Sequence, residues 1–249
     1  MNIKIKKLGF FFILLTALVA CNKEQDVTKA ISINIKGYNI GNSELEVAVD
    51  EVTYNKFRIP ANQQVNFAKI YTYPSNKGQA SLRIKDITPA KEVFQQQLDL
   101  NNGEIDRFFP FVIINGSPLE IKPPVADPST NKIAFYIHYP QSSDAIDIFL
   151  KNNAGQIAYV AKNVKPSTWV YTDYLTDEAF KDLRSSDMLY FTKTGTTTTW
   201  AFRDSEQISK SPIGTLLLPN FAEKGRVCSY FITANTNQLD VVRLFKGSN

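Results

Sequence analysis

From Ile31 the chain alternates apolar and polar residues: Ile31, Ile33 and Ile35 against Ser32, Asn34 and Lys36, then Leu45, Val47 and Val49 against Glu44, Glu46 and Ala48. A period of two puts the apolar set on one face of a half-buried strand. The segment Gly37 to Ser43 between these strands carries turn chemistry. Further strands are predicted at Gln64 to Tyr73, Ala80 to Asp86, Val93 to Leu100 and Arg107 to Ile114, separated by Pro, Asn and Gly clusters such as Pro74-Ser75-Asn76-Lys77-Gly78 and Asn101-Asn102-Gly103. Short strands with turn signals every 8 to 12 residues or so favour a sandwich or barrel over alternating strands and helices.

The densest Pro and polar stretch runs from Asn115 through Pro123-Pro124 to Ser129. It reads as a stiff connector, giving a first domain over 31–114, a linker over 115–131 and a second domain over 132–249. The second domain restarts the first one's pattern. Ile133, Phe135 and Ile137 alternate with Ala134, Tyr136 and His138, and Ile146-Asp147-Ile148-Phe149-Leu150-Lys151 lies in phase with Leu45-Glu46-Val47-Ala48-Val49-Asp50. Gly103 with Phe109 matches Gly225 with Phe231 near the ends of the halves. The longer second half carries one helical piece near 176–187, with Thr176 as N-cap, Asp177 and Glu178 in the first turn, and Phe180 and Leu183 on one face. The expected fold is all-β, two tandem antiparallel β-sandwiches.

The exception to strand patterning is the N-terminus. Lys4, Lys6 and Lys7 precede an apolar run from Leu8 to Ala20, a length that suits a secretory signal, whereas a bilayer core needs about 20 apolar residues. The run ends in Leu18-Val19-Ala20-Cys21, which resembles the lipobox of bacterial lipoproteins. That resemblance implies cleavage after Ala20 (signal peptide 1–20) and attachment of acyl chains, palmitate among them, to Cys21, with 21–30 as a tether. More than one acyl chain is what stable anchoring requires. Asn22, where an Asp retains some lipoproteins at the inner membrane, favours the outer membrane, and Lys23-Glu24-Gln25-Asp26 resembles an export signal to the cell surface.

The signal segment also changes the charge. The chain carries 28 Lys and Arg against 24 Asp and Glu, but three of the lysines and no acid lie in the first twenty residues, so the remainder is nearly neutral. It offers no basic stripe for nucleic acid. Of two cysteines, lipidated Cys21 leaves Cys228 unpaired, in a strand context that suggests a buried thiol.

Candidate chemistry is sparse. His138 is the only histidine, and its position opposite the Ile133/Ile137 face predicts a solvated or edge side chain. No phosphate loop, nucleophile elbow or Cys/His metal motif occurs. The carboxylate pairs Asp144 with Asp147 and Asp173 with Asp177 are ordinary, no spaced calcium loop is present, and neither metal nor cofactor is expected. The aromatic residues are more suggestive. Trp169, Tyr171 and Asp173 share one strand face, as do Tyr71 and Tyr73. These five are the candidate ligand-binding residues if the rings are exposed; packing in the core is the other reading.

The stretch Tyr139-Pro140-Gln141-Ser142-Ser143-Asp144-Ala145-Ile146-Asp147-Ile148-Phe149-Leu150-Lys151-Asn152 resembles the opening motif of a bacterial domain family of unknown function found in lipoproteins and secreted proteins: a Ser/Pro/Asp turn followed by Ala-Val-Asp-Val-Tyr-Val. The resemblance implies an immunoglobulin-like or transthyretin-like sandwich and no established activity. The expected function is a non-catalytic envelope lipoprotein acting as an accessory, structural or protein-interaction module, with an envelope protein as partner; the alternative is a glycan-binding surface lipoprotein of a polysaccharide-uptake system.

Overall fold

The computed structural model describes residues 27–184 and 186–246, so the signal segment, the lipobox with Cys21 and residues 22–26 of the tether lie outside the described residues. Strands begin inside the expected tether, with β1 at Thr28–Ile40. They continue as β2 Leu45–Val49, β3 Val52–Thr53, β4 Gln63–Pro74, β5 Gln79–Asp86, β6 Lys91–Asp99, β7 Asp106–Ile114 and β8 Ser117–Pro118. The second unit holds β9 Asn131–His138, β10 Ile146–Lys151, β11 Ile157–Val164, β12 Trp169–Tyr174, β13 Met188–Lys193, β14 Lys210–Pro212, β15 Val227–Ala234 and β16 Leu239–Arg243.

The strands form four sheets. Sheet I has the order β4-β1-β7-β8 and sheet II the order β3-β2-β5-β6; sheet III is β12-β9-β15-β16 and sheet IV is β11-β10-β13-β14. Every strand of the first sandwich therefore has a counterpart eight strands later in the same slot. Ile33, Ile35, Val47, Leu82, Ile84 and Phe111 fill the first core, between sheets I and II. Ile133, Phe135, Ile148, Phe191, Cys228 and Tyr230 fill the second, between sheets III and IV. Removing this apolar area from water is the main stabilising term.

The sheets are not wholly antiparallel. The first strand of each unit sits between an antiparallel neighbour, β4 or β12, and the unit's last long strand, β7 or β15, which runs in its own direction. One parallel pair per sandwich thus joins the two ends of the unit.

Gly37 does not begin a turn. Strand β1 runs on to Ile40, and a Cβ at Gly37 would stand 1.5 Å from the carbonyl oxygen of Phe111 on β7. Glycine is there for close backbone approach. The expected linker starts as a strand: Asn115 and Gly116, both at positive φ, turn the chain so that Ser117–Pro118 pairs back on β7.

The helical piece shrinks to one 3-10 turn, Glu178–Phe180, capped by Asp177, whose carboxylate accepts the Ala179 N–H at 3.0 Å. The Thr176 hydroxyl is engaged elsewhere, with the Pro219 carbonyl and the Tyr174 hydroxyl. A short segment cannot offset the cost of helix nucleation, and buried Phe180 pins the turn instead. The second unit's greater length lies mainly in three connections, 175–187 against 75–78, 194–209 against 87–90 and 213–226 against 100–105.

Candidate functional site

The two sandwiches meet through the outer faces of sheets I and III. A third apolar cluster lies there, formed by Tyr38 and Val112 from the first unit and Tyr136, Phe231, Val242 and Leu244 from the second. Phe231 is fully buried, with ring centroids of Tyr38 at 5.7 Å, Tyr136 at 5.9 Å and His138 at 6.4 Å. Offset stacking of this kind adds to area burial.

A polar hub sits at the edge of the seam. The Tyr38 hydroxyl donates to Asp240 Oδ2 at 2.8 Å, and the same carboxylate accepts from Gln238 at 2.7 Å, Asn235 at 3.3 Å and Gln64 at 3.5 Å. Tyr38 and Gln64 reach it from the first unit, so the buried charge is satisfied by donors from both sandwiches. Burial, followed by the hydrogen bond to Asp240, pushes the Tyr38 phenol well above its ordinary range. Lys246 adds an ion pair to Asp106 at 2.8 Å.

The linker is strapped over the same sheet. Trp169 Nε1–H donates to the Glu120 carbonyl at 3.0 Å and the Tyr171 hydroxyl donates to the Lys122 carbonyl at 3.0 Å. The two rings stack at 6.4 Å, and Trp169 packs on Tyr136 at 5.4 Å.

These contacts place the five nominated residues. Trp169 is half-buried between seam and linker, Tyr171 is 46% exposed but tied by its hydroxyl, and Asp173, on the same face, pairs with Lys132 at 2.5 Å. Tyr71 and Tyr73 are elsewhere: both are 5% exposed in the core of the first sandwich, their rings stacked at 5.9 Å. The polar-looking alternation of β4 points them inward, so the five do not form one surface. The Tyr71 hydroxyl donates to Asp50 at 2.6 Å, and Asp50 pairs with Lys77 at 2.6 Å and accepts the Ser81 N–H at 2.8 Å. Burial alone would raise the Asp50 carboxyl; the bonds from Lys77, Tyr71 and Ser81 outweigh it and hold it below its usual value.

His138 does lie opposite the Ile133/Ile137 face, but that face is the seam rather than solvent. It is half-buried on Phe231, and burial lowers its pKa. Cys228 is a fully buried core thiol on β15, raised by burial.

Neither carboxylate pair converges. Asp144 is exposed near Lys193, and Asp177 is a cap. Asp147, 3% exposed, is a structural staple. It accepts the Asn163 N–H at 2.9 Å, the Gly195 N–H at 3.0 Å and the Thr194 hydroxyl at 3.1 Å, clipping the 194–199 turn to β10 and β11. Burial alone would raise its carboxyl, and these donors, with Lys162 nearby, hold it below the ordinary value. Among the described residues no group of three or more His, Cys, Asp or Glu side chains could hold a metal ion.

Sequence reasoning missed the seam residues Tyr38, Tyr136, Phe231 and Asp240. The signal was partial: Ala134 and Tyr136 on β9 and Phe231 on β15 put apolar residues on the face opposite the core, but Lys132, His138, Ser229 and Thr233 share that face and make it read as a solvated one.

No family model matches the chain, and no curated protein matches it. Among solved structures, a family 26 carbohydrate-binding module from Eubacterium rectale Amy13K, crystallised in complex with maltoheptaose, is similar at 12% identity and a TM-score of 0.23, over 88% of this chain and 99% of that one. At that score the likeness says nothing of a ligand. What the strands and cores define is a tandem β-sandwich protein.

Proposed function

We propose that this protein is a non-catalytic accessory module of the bacterial cell envelope: two sandwiches locked into one body, held at the outer membrane by acyl chains on Cys21, and engaging another envelope protein. The carrying observation is the seam. The aromatic face of sheet III, which a binding module would turn to a ligand, is covered by sheet I and the linker, and its indole and phenol tips are bonded to the linker backbone. The chain's aromatic chemistry there joins domains, the arrangement of a rigid spacer.

Anchoring rests on Leu18-Val19-Ala20-Cys21. The direct experiment feeds labelled palmitate to cells making the full chain or its Cys21→Ala variant and separates membrane from soluble fractions. Label on the wild type alone, with the variant lost from outer membranes, is the expected result. A variant that still partitions fully with membranes overturns the lipoprotein reading.

A further inference from the structure

We infer that the end of the molecule at which β1 begins is a lipid-contacting face, on which both sandwiches rest against the phospholipid bilayer that holds the anchor. The inference deepens the proposed function and rests on acylation of Cys21.

The sandwiches stand side by side rather than end to end. Asp106 pairs with Lys246 where β7 begins, just past the end of β16, and Tyr38 reaches Asp240 near the far ends of β1 and β15. Strand β15 therefore runs in the direction of β1, and β9 runs with β15. The starts of β1, β7, β9 and β15 and the end of β12 form one rim, shared by both units.

The two ends of the molecule differ in what they show to solvent. At the rim, Val27 precedes β1, Ile105 precedes β7, Leu175 follows β12, and Leu217 and Phe221 stand in the connection that leads into β15; these side chains are between 41% and 73% exposed. The last three are drawn together. The Thr176 hydroxyl donates to the Pro219 carbonyl at 3.2 Å, which sets Leu175, Leu217 and Phe221 each within two residues of a single bond. At the opposite end, the connections 41–44, 140–145, 165–168 and 235–238 consist of Gly, Pro, Ala, Asn, Gln, Ser, Thr and charged residues, and among the described residues none of them carries an exposed large apolar side chain. Folding does not ask one end to be apolar and the other polar, so the rim answers to something outside the chain.

Leu217 sharpens the contrast. It ends the one-turn helix Ile213–Leu216 at φ 52 and ψ 50, the left-handed position where glycine or asparagine is usual. A leucine there adds backbone strain while its side chain faces solvent, which serves contact rather than folding.

The occupant follows from the anchor. Five residues, 22–26, separate Cys21 from Val27, and six steps of about 3.3 to 3.6 Å reach about 20 Å at most. A tether that short, leaving from the rim itself, holds the rim against the surface in which the acyl chains are sunk. Apolar side chains at such a surface enter the boundary between headgroups and acyl chains by about 5 to 10 Å. Cations of the rim are paired with neighbouring acids, Arg107 with Glu104, Arg184 with Asp187 and Arg226 with Glu223. The contact is therefore apolar rather than electrostatic, and a neutral phosphatidylcholine surface satisfies it.

The test uses the full lipidated chain, reconstituted in vesicles of phosphatidylcholine that carries bromine on its acyl chains, a contact quencher of indole fluorescence. The native indoles are an internal control, since Trp169 begins β12 and Trp200 bridges Thr192, both away from the rim. Phe221→Trp and, separately, Ile105→Trp put an indole on the rim of each sandwich, and Asn237→Trp puts one at the opposite end. The rim indoles are expected to lose about half their emission, most with bromine near the headgroup end of the acyl chain, because insertion is interfacial. Wild type and Asn237→Trp are expected to lose none, and salt at about 1 M to change nothing. Adding Leu175→Glu and Leu217→Glu to Phe221→Trp should abolish the quenching while the chain still floats with the vesicles. Continued protection of Cys228 from thiol reagents confirms that the variants fold. A chain that carries palmitate and floats but shows no rim quenching overturns the inference and leaves the lipoprotein reading standing; a chain without palmitate that does not float overturns both. Equal quenching of Asn237→Trp, or quenching that survives the two glutamates, also overturns the inference.

Discussion

Asp147 tests whether the motif that opens the second sandwich is architecture or chemistry. Its two oxygens hold two backbone N–H groups and a threonine hydroxyl at 2.9 to 3.1 Å, and the residue is 3% exposed. A hydrogen bond to a charged group contributes about 1.5 to 3 kcal/mol. Asp147→Ala orphans all three donors. Asn163 and Gly195 are exposed residues, so water recovers part of the loss, and the expected cost is about 3 kcal/mol. Asp147→Asn keeps one acceptor but turns an amide N–H toward the other donors, costing about 2 kcal/mol. The folded carboxyl lies below the ordinary carboxylate value. Its contribution is therefore complete above the unfolded pKa of about 3.9 and drains as pH falls through the folded value. Urea unfolding followed by tryptophan fluorescence, with Trp200 directly after the clipped turn, measures both effects. The deficit of the Asn variant should be full at pH 7 and shrink in acid below the unfolded value. An Ala variant within about 0.5 kcal/mol of wild type, the range of ordinary surface substitutions, would refute the staple.

Other expectations follow from packing. Phe231→Ala empties the centre of the seam, and loss of a buried phenylalanine costs about 3 to 5 kcal/mol; calorimetry should show the unfolding transition lowered and divided as the units separate. Gly37→Ala drives a methyl into the Phe111 carbonyl and should abolish accumulation of folded protein, measurable by soluble yield. Cys228 should react with thiol reagents only at the rate of global unfolding, being fully buried with a thiol raised by burial.

What could be read in the sequence was whatever depends on local period. The strands from β4 to β7 appear within a few residues of where alternation puts them, because a period of two exposes the core-facing set directly. Long-range contacts were not readable. Gly37 looks like a turn residue because its reason for being glycine, the Phe111 carbonyl, is seventy-four positions away. The repeat was visible, but aligning Phe109 with Phe231 was one residue out. Phe109 faces the first core and Phe231 the seam, and a single-residue slip in a strand moves a side chain to the opposite face. The counterpart of Phe109, by its pairing with Ile35, is Tyr230, paired with Phe135. Tyr71 and Tyr73 share the period-two face of Val65 and Phe67, with Gln64, Asn66, Ala68 and Thr72 opposite, so their burial was legible in the alternation, which only Lys69 interrupts. Trp169 and Tyr171 were correctly placed side by side, but the linker that covers them gives no periodic signal.

The central claim is that the two sandwiches form one rigid body through the seam. The most direct measurement is the distance distribution between spin labels on Lys85→Cys and Lys224→Cys, exposed positions on the first and second units, diluted with unlabelled protein and recorded by pulsed dipolar spectroscopy. One narrow distribution, broadened by Phe231→Ala, is the predicted result. A broad distribution in the wild type, unchanged by that substitution, would contradict the account.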